Sequence, residues 1–440
     1  MKTKNLLAPA LLMFTLASFG WTQTAEKPQL DRLQTRADEV CALFRANPAD
    51  YEELFVPDFL GIVPTARLTA IFTQYFSQLG RCTGVKLITP QGDNAGYFEF
   101  SFEKGFTVSV KLSVSATAPN LMDGLLLGTP VSKSSSLADI ANELKTFPGE
   151  TTFLVARLNN DSITPLISLN AGRELAIGSA FKLYILSELA REVNAKERKL
   201  SDVVTLDDRA VSRPSGTLQT WPHGSPLTLH TLAAFMISIS DNTAADQLLW
   251  TLTRERVESV MEQTGHAKPE MNQPFLSTLE MFKLKGEPTH KAADDYLALD
   301  TAGRRRFLTE KLASIKLDDV KPYEDGKPAY IDRIEWFASS TDLCRVMNWL
   351  RQQTETNAPA APLRDVLAIN PGNGLNVSRE RWSFIGFKAG SEPGVLNMTY
   401  LLQSTMGQWY AMSMSWNNTQ AALDNTKLFA LVQRALQIIE

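Results

Sequence analysis

One short segment, GSAFKLYILSELA at residues 178–190, places a lysine within a run of apolar residues. The spacing of the apolar positions predicts a buried helix that starts near Ser179. Lys182 follows three positions later, so its amine lies on the same helix face as the Ser179 hydroxyl. Burial and a second cation lower the pKa of a lysine, and a neutral amine can accept a serine proton. The segment therefore predicts an activated serine nucleophile, and a lysine that extends outward to solvent is the alternative.

Two further polar groups occur where apolar segments are interrupted. The S-D-N triplet at 240–242 breaks the helical run LAAFMISISDNTAADQLLW, and the K-A-G-S stretch at 388–391 ends a predicted strand that begins WSFIGF. Together with Ser179 and Lys182 they follow the order of the S-x-x-K, S-D-N and K-T-G motifs of the penicillin-recognising serine hydrolases. The sequence resembles this family over roughly residues 151–440, and its S-D-N context is similar to that of the class A β-lactamases.

The resemblance implies a catalytic role for four residues. Ser179 would attack an amide carbonyl and form an acyl-enzyme, with Lys182 as its base or as part of the proton relay. Ser240 would pass the proton to the departing nitrogen. Lys388 would attract the substrate carboxylate and help to keep Lys182 neutral.

The resemblance also implies a set of substrate-binding residues, namely Asn242, Ala389, Gly390, Ser391 and Trp221. Asn242 would hold the side-chain amide of the substrate, and the backbone N–H group of Ser391 would bind the oxyanion together with that of the nucleophile. Ala389 stands where the family has Thr, so a hydroxyl contact to the carboxylate falls to Ser391. Trp221 either lines the mouth of the site or packs in the core.

The deacylation motif of the class A enzymes, E-x-x-L-N, is missing. Its nearest counterpart is KPEMN at 268–272, which has a lysine at the position of the glutamate. It lies in a charged insertion at about 267–335, which we expect to be partly helical. Glu324 and Glu335 are the candidate carboxylates for activating water, and a solvated role is the alternative for each. Acylation is thus better supported than rapid deacylation.

The first residues have the layout of a secretory signal peptide, which we assign to residues 1–24. Lys2 and Lys4 precede an apolar run over 6–19 that is shorter than the ~20 residues needed to span a bilayer. We therefore expect a periplasmic or secreted protein without stable membrane insertion. The net charge of -4 gives no basic field for nucleic acid.

Residues 25–130 are predicted to form a separate small domain. Helical spacing up to about Gly80 is followed by three alternating segments, GVKLITP, AGYFEFSFEKG and FTVSVKLSVSA, which predict antiparallel strands. This α+β roll resembles cystatin-like or ketosteroid-isomerase-like domains in outline only, and a binding or docking module is its expected role. Cys41 and Cys82 either form a disulfide or remain buried thiols, and Cys344 is expected in the core of the next domain.

Residues 131–440 are predicted to form the second domain, after a serine-rich linker. Two strands follow a helix at 137–144, and three more precede a last helix expected from Thr419 to Glu440. Five strands split between the two ends of a domain, with helices between and after, predict an α+β fold with a five-stranded antiparallel sheet flanked by helices, as in the β-lactamase/transpeptidase-like family. The spacing of Cys and His residues gives no metal site, and we expect no cofactor.

The function predicted is a secreted serine hydrolase that forms an acyl-enzyme through Ser179, with β-lactam hydrolysis as the first interpretation. A cell-wall D-alanyl peptidase or an esterase uses the same acylation chemistry and is the alternative. A penicillin-binding sensor that is acylated without turnover is a further alternative, favoured by the missing E-x-x-L-N motif. Each takes a small-molecule substrate: a β-lactam, a peptide or an ester. The sequence does not indicate the oligomeric state.

Overall fold

The computed structural model describes residues 27–439 except 46, 47, 49, 129, 133–135, 161, 317, 318, 322, 324, 325, 373, 374, 376 and 378–380. The chain divides into two compact units, Met1–Lys133 and Ser134–Glu440. The predicted signal peptide at 1–24 and most of the predicted serine-rich linker lie outside the described residues, as does Glu324.

The first unit packs helices on an antiparallel sheet. Its helices are α1 (Lys27–Ala42), α2 (Pro57–Ile62) and α3 (Thr65–Leu79). Its strands are β1 (Cys82–Pro90), β2 (Ala95–Phe102), β3 (Phe106–Val114), β4 (Met122–Leu127) and β5 (Val131–Ser132). The sheet order is β1-β2-β3-β4, and β5 pairs with β3. A phenylalanine cluster that includes Phe44, Phe72 and Phe100 fills the core.

Two features of the first unit go beyond the sequence prediction. The sheet contains β4 and β5 in addition to the three predicted strands. The sequence does not predict β4, because MDGLLL has a glycine and three consecutive leucines and so lacks the alternation that marks a strand. Cys41 and Cys82 form a disulfide that joins α1 to β1. The structure thus contains the first of the two alternatives left open for these cysteines.

The second unit is built on a five-stranded antiparallel sheet. Its strands are β6 (Glu150–Leu158), β7 (Ile163–Leu169), β12 (Trp382–Glu392), β13 (Val395–Ser404) and β14 (Trp409–Asn417). They lie in the order β12-β13-β14-β6-β7, and every neighbouring pair is antiparallel. The predicted five-stranded antiparallel sheet flanked by helices is therefore confirmed.

Helices cover both faces of this sheet because its central strands are apolar on both sides. Phe153 and Val155 on β6 pack with α4 (Leu137–Leu144) and α14 (Asn425–Ile438). Leu154 and Ala156 alternate with them and belong to the larger core on the opposite face. The free cysteine, Cys344, is buried in that larger core.

The larger core is formed with the remaining helices. They are α5 (Lys182–Asn194), α6 (Leu229–Ser238), α7 (Asn242–Leu252), α8 (Arg254–Gln263), α9 (Thr278–Gly286), α10 (Lys291–Leu297), α11 (Thr301–Glu310), α12 (Ser340–Gln353) and α13 (Pro362–Ala368). Four short strands form two pairs beside them: β8 (Leu175–Ala176) with β11 (Phe337–Ala338), and β9 (Val203–Thr205) with β10 (Pro226–Thr228). The charged segment at about 267–335 thus contains three helices, α9 to α11.

Two element boundaries differ from the sequence prediction. The last helix begins at Asn425 rather than Thr419, because the Asp424 side chain accepts a hydrogen bond from the Thr426 N–H and caps the helix there. Strand β12 ends at Glu392, one residue beyond the K-A-G-S stretch that the sequence predicts as its end. Among the described residues, no helix has both the length and the apolar character needed to cross a membrane.

Candidate active site

A pocket of about 410 Å³ opens in the second unit between the turn that precedes α5 and residues of α6, α7, α9 and β12. Six residues singled out in the sequence line it: Ser179, Ser240, Asn242, Lys388, Ala389 and Ser391. They come from three segments that are far apart in the sequence. The three motif segments therefore meet around one pocket.

Ser179 lies on a tight turn, and two glycines let a strand pass directly against it. The turn, Gly178–Phe181, immediately precedes α5, and Gly178 has a φ of 47°. A Cβ atom on Gly390 would lie 2.6 Å from the Ser179 nitrogen, and one on Gly178 would lie 2.9 Å from the Ser391 nitrogen. Only glycine allows so close an approach. The backbone N–H groups of Ser179 and Ser391 are consequently held on adjoining segments.

Lys182 is completely buried beneath the serine. Its Nζ lies 3.4 Å from Ser179 Oγ and 3.1 Å from Ser240 Oγ, and it donates to the Ser240 carbonyl at 2.6 Å and to Asn242 Oδ1 at 2.7 Å. All four oxygens are neutral, so no contact offsets the loss of hydration. Burial, and then the positive charge of Lys388, lower the pKa of Lys182 well below its ordinary value, against the opposing effect of Asp246 and Asp241.

The contacts of Lys182 suit a neutral amine. Such an amine has two N–H groups, and the two short contacts to the Ser240 carbonyl and Asn242 Oδ1 use both. The nitrogen lone pair is then left for the hydroxyl proton of Ser179 or Ser240. The arrangement can therefore accept a proton from the Ser179 hydroxyl.

The Ser240 hydroxyl lies between two lysines. Lys388 Nζ donates to Ser240 Oγ at 3.0 Å and to the Ala389 carbonyl at 2.7 Å, while Lys182 contacts the same hydroxyl from the other side. Burial lowers the pKa of Lys388 to about 7. The Ser240 hydroxyl thus forms a hydrogen-bonded link between two amines of reduced basicity.

The S-D-N loop is held in place by hydrogen bonds between side chains and backbone groups. Ser240 has a φ of 57°, an uncommon conformation for a residue with a side chain, and its carbonyl accepts from both Lys182 and the Ser215 hydroxyl. Asp241 caps α7 through the Ala244 N–H, and it also accepts from the N–H groups of Thr217 and Leu218. The buried aspartate therefore joins the SGTLQT segment, residues 215–220, to this loop.

Several predicted residues lie outside the pocket lining. Gly390 is pressed against the serine turn, and Trp221 packs edge-on against Phe235 with 41% of its surface exposed. The KPEMN segment also lies away from the pocket, because the Asn272 side chain is buried in two hydrogen bonds to the backbone of Phe337. Glu335 is buried, and it bonds Lys285 and the backbone of Trp336.

Glu392 is a carboxylate that lines the pocket and that the sequence motifs do not indicate. It lies on β12, and its carboxylate accepts from Lys285 Nζ at 2.6 Å and from the Tyr323 hydroxyl. Side chains on a strand alternate between faces, so Lys388, Gly390 and Glu392 share one face. That period of two is the signal in the sequence for Glu392, which no E-x-x-L-N pattern marks.

A second polar cluster could in principle hold a metal ion. Glu174, His266 and Asp342 place side-chain ligand atoms within 4.8 Å of one another. Both ring nitrogens of His266 are used, since Nδ1 accepts from the Lys268 N–H and Nε2 bonds the Phe337 carbonyl. Asp342 caps α12 and also accepts from the Ala267 N–H. These hydrogen bonds leave the histidine without a lone pair for a metal.

Comparisons with known proteins give a match to the same unit. Residues 136–311 match the family model described as the Beta-lactamase enzyme family. No curated protein matches the sequence.

Among solved structures, PBP-A is 16% identical, with 68% of this chain and 92% of that chain covered and a TM-score of 0.46. The β-lactamase from Sphaerobacter thermophilus is 18% identical, with 68% and 94% covered and a TM-score of 0.47. The β-lactamase from Desulfarculus baarsii is 15% identical, with 68% and 96% covered and a TM-score of 0.47. Likenesses this low carry no argument about function. The family match over residues 136–311 and the residues around the pocket together support a serine hydrolase of the β-lactamase/transpeptidase fold in the second unit.

Proposed function

We propose that this protein is a secreted, class A-like serine hydrolase that opens β-lactams through an acyl-enzyme on Ser179. One observation carries the proposal: a completely buried amine, Lys182, lies 3.4 Å from the Ser179 hydroxyl at the base of an open pocket, and its contacts are all to neutral oxygens. Burial lowers the pKa of Lys182 well below its ordinary value, so its neutral amine can take the proton of the hydroxyl and activate it for attack.

In the acylation step, Lys182 takes the Ser179 proton while Oγ bonds to the lactam carbonyl carbon. The N–H groups of Ser179 and Ser391 stabilise the oxyanion, an interaction worth about 3–4 kcal/mol per donor in other enzymes. The proton then passes from Lys182 to Ser240 Oγ, 3.1 Å away, and on to the nitrogen as the C–N bond breaks. Each transfer follows a contact between neighbouring groups.

Substrate binding is assigned to three further residues of the same pocket. The Lys388 ammonium attracts the substrate carboxylate, and Ser391 supplies a hydroxyl beside it, in the place of the family's threonine. Asn242 orients the substrate's side-chain amide, although its own side chain already bonds Lys182 and the Arg213 carbonyl.

Export to the periplasm or beyond is part of the proposal. The disulfide between Cys41 and Cys82 supports an oxidising compartment, and residues 1–24 have the composition of a signal peptide. We further propose that the chain has a small α+β domain over 25–130 and a hydrolase domain over 131–440, with an insertion at about 267–335.

The test is incubation of the purified mature protein with benzylpenicillin and with a chromogenic cephalosporin, followed by absorbance and by intact mass. We expect turnover, and a covalent adduct on the peptide that contains Ser179. The Ser179→Ala variant should show neither, since it lacks the nucleophile but keeps Lys182. Turnover that survives in this variant contradicts the proposal. A stable adduct without turnover instead supports a sensor or peptidase, and hydrolysis of simple esters alone supports an esterase.

A further inference from the structure

A buried charged cluster adjoins the pocket and is not used in the acylation step above. Lys285 Nζ donates to Glu335 Oε1 at 2.8 Å and to Glu392 Oε1 at 2.6 Å, and the Tyr323 hydroxyl donates to the second oxygen of Glu392. The side chains of Lys285 and Glu335 are fully buried, and that of Glu392 is 3% exposed. One cation thus lies between two carboxylates, which leaves the group with an excess of negative charge.

The two carboxylates differ in what they face. Glu335 uses Oε1 for Lys285 and Oε2 for the backbone N–H of Trp336, and it does not line the pocket. Glu392 lines the pocket together with Tyr323. Among the described residues, Glu392 is the one carboxylate in the pocket lining. Each of its oxygens accepts one hydrogen bond and has a second lone pair for a water.

Strand β12 brings Glu392 into the lining of the pocket that also contains Ser179. The Ser391 nitrogen lies against Gly178, where an added Cβ would be 2.9 Å away, and Glu392 is the next residue along the strand. Glu392 shares the strand face of Gly390, whose Cβ direction leads to the Ser179 nitrogen at 2.6 Å. The strand thus carries the serine-turn contact and the pocket carboxylate on residues that are one or two positions apart.

We propose that Glu392 is the general base that activates water to hydrolyse the acyl-enzyme, a role that the missing E-x-x-L-N motif leaves unassigned. This inference rests on the proposed function, because it requires an ester on Ser179. Glu392 accepts one proton from a pocket water, and the resulting hydroxide bonds to the acyl carbon. The bond from that carbon to Ser179 Oγ then breaks, and the proton passes through pocket water to Oγ. One water is consumed, and serine and carboxylate are regenerated.

The surroundings of Glu392 suit a base that becomes active as the pH rises through about 8. Burial, and next the charge of Glu335, raise the pKa of Glu392 to about 8, against the opposing effect of Lys285. A carboxylate with its ordinary pKa is a weaker proton acceptor by comparison. Lys285 and Tyr323 hold the carboxylate in one position, as a general base requires.

The experiment compares deacylation in the wild-type protein, Glu392→Gln and Glu335→Gln. Each protein is mixed with benzylpenicillin, and intact mass is followed over time after rapid quenching. We expect Glu392→Gln to acylate within a few-fold of the wild-type rate and to deacylate about 10²- to 10⁴-fold more slowly, so that the adduct accumulates. Glu335→Gln retains the proposed base and should still turn over. A thermal melt of each variant verifies folding.

The outcomes separate this inference from the proposed function. A wild-type protein that acquires no adduct and shows no turnover overturns both. A wild-type adduct that never hydrolyses, or a folded Glu392→Gln variant that deacylates as fast as wild type, overturns the role of Glu392 and leaves acylation intact. An adduct trapped by Glu335→Gln but not by Glu392→Gln assigns the base to the other carboxylate and overturns the inference as well.

A pH profile keeps the inference testable should Glu392→Gln fail to fold. Tyr323→Phe removes a hydrogen bond from the Glu392 carboxylate and raises its pKa, so the pH profile of deacylation should move to higher pH. Glu335→Gln removes a like charge and should move it to lower pH. Opposite shifts support Glu392 as the titrating base. Unchanged profiles, or two shifts in the same direction, contradict it.

Discussion

The side chains of Lys182 and Lys285 are both fully buried beside the pocket, but their surroundings shift their pKa values in opposite directions. Lys182 contacts only neutral oxygens, and burial lowers its pKa well below the ordinary value. Lys285 suffers the same burial, but Glu335 and Glu392 outweigh it and raise its pKa. The first lysine is suited to accept a proton, and the second to remain an ammonium.

The difference teaches that burial alone does not decide what a lysine does. Desolvation opposes the charged form of both side chains, and the presence or absence of a contacting carboxylate decides the outcome. In this molecule the carboxylates nearest to Lys182, Asp241 and Asp246, are occupied by backbone N–H groups of neighbouring segments. The acids are thus used to hold the site together, and the amine is left without an ion pair.

The largest expected effect comes from Lys182→Met. The variant loses the proposed base, so acylation by benzylpenicillin should fall about 10²- to 10⁴-fold. The protein should stay folded, because the substitution removes a buried polar group that has no ion pair. Rapid-quench intact mass gives the acylation rate, and a thermal melt verifies the fold. Acylation at the wild-type rate would remove Lys182 from the mechanism.

Lys285→Met should lower the stability of the protein, in contrast to Lys182→Met. Removing this cation leaves two carboxylates buried side by side, so the free energy of unfolding should fall by about 3–5 kcal/mol. Urea unfolding at pH 7 measures the loss. As a control, the triple variant that adds Glu335→Gln and Glu392→Gln has no buried charge in the cluster and should recover much of it. A single variant as stable as wild type would show that the cluster is not an ion-paired unit.

Lys388 is expected to limit activity at alkaline pH. Its pKa of about 7 means that the charge which attracts a substrate carboxylate is lost as the pH rises through neutrality. The ratio of kcat/KM for benzylpenicillin to that for its methyl ester should fall about tenfold between pH 6 and pH 8, since kcat/KM reports the free enzyme. The ester lacks the carboxylate and serves as the matched control. A ratio independent of pH would contradict this role.

The smallest expected effect concerns the carboxyl group of Glu174 and the pH dependence of stability. Burial, and then the charge of Asp342, raise its pKa from 4.5 to about 7. The folded state therefore binds the proton more tightly than the unfolded state, and the stability gained below pH 4.5 is lost as the pH rises through about 7. Glu174→Gln should remove this fall in stability, a difference on the order of 1 kcal/mol between pH 5 and pH 8. Urea unfolding at both pH values measures it, and equal pH dependence in the two proteins would refute the assignment.

The sequence was sufficient to predict the sheet and the segments that form the pocket. Apolar runs separated by turn residues predict β6, β7 and β12 to β14, and the spacing of Ser179 and Lys182 gives their proximity directly. It did not predict β4, whose three consecutive leucines carry no alternation, or the start of α14, which Asp424 determines through a single cap. Local patterns predict local structure well, and irregular strands and caps poorly.

Contacts between distant segments were harder to predict. Nothing local shows that Gly390 allows β12 to press on the Ser179 turn, or that Lys285 of α9 reaches Glu392 some hundred residues later. The position of Glu335 before α12 makes it a candidate for activating water, but its carboxylate accepts hydrogen bonds from Lys285 and from the backbone N–H of Trp336. Alternation along β12 places Glu392 on the strand face of Lys388, but only the tertiary fold brings that carboxylate to Lys285 and into the pocket.

The central claim is that Lys182 is a neutral amine at the pH where Ser179 reacts. An NMR titration of protein with ¹⁵N-labelled lysine side chains tests it directly, with the Lys182→Met spectrum identifying the resonance. We predict that Lys182 titrates well below the ordinary lysine value of about 10.4, while Lys285 retains its proton throughout. A Lys182 resonance that titrates at or above that ordinary value would contradict the account.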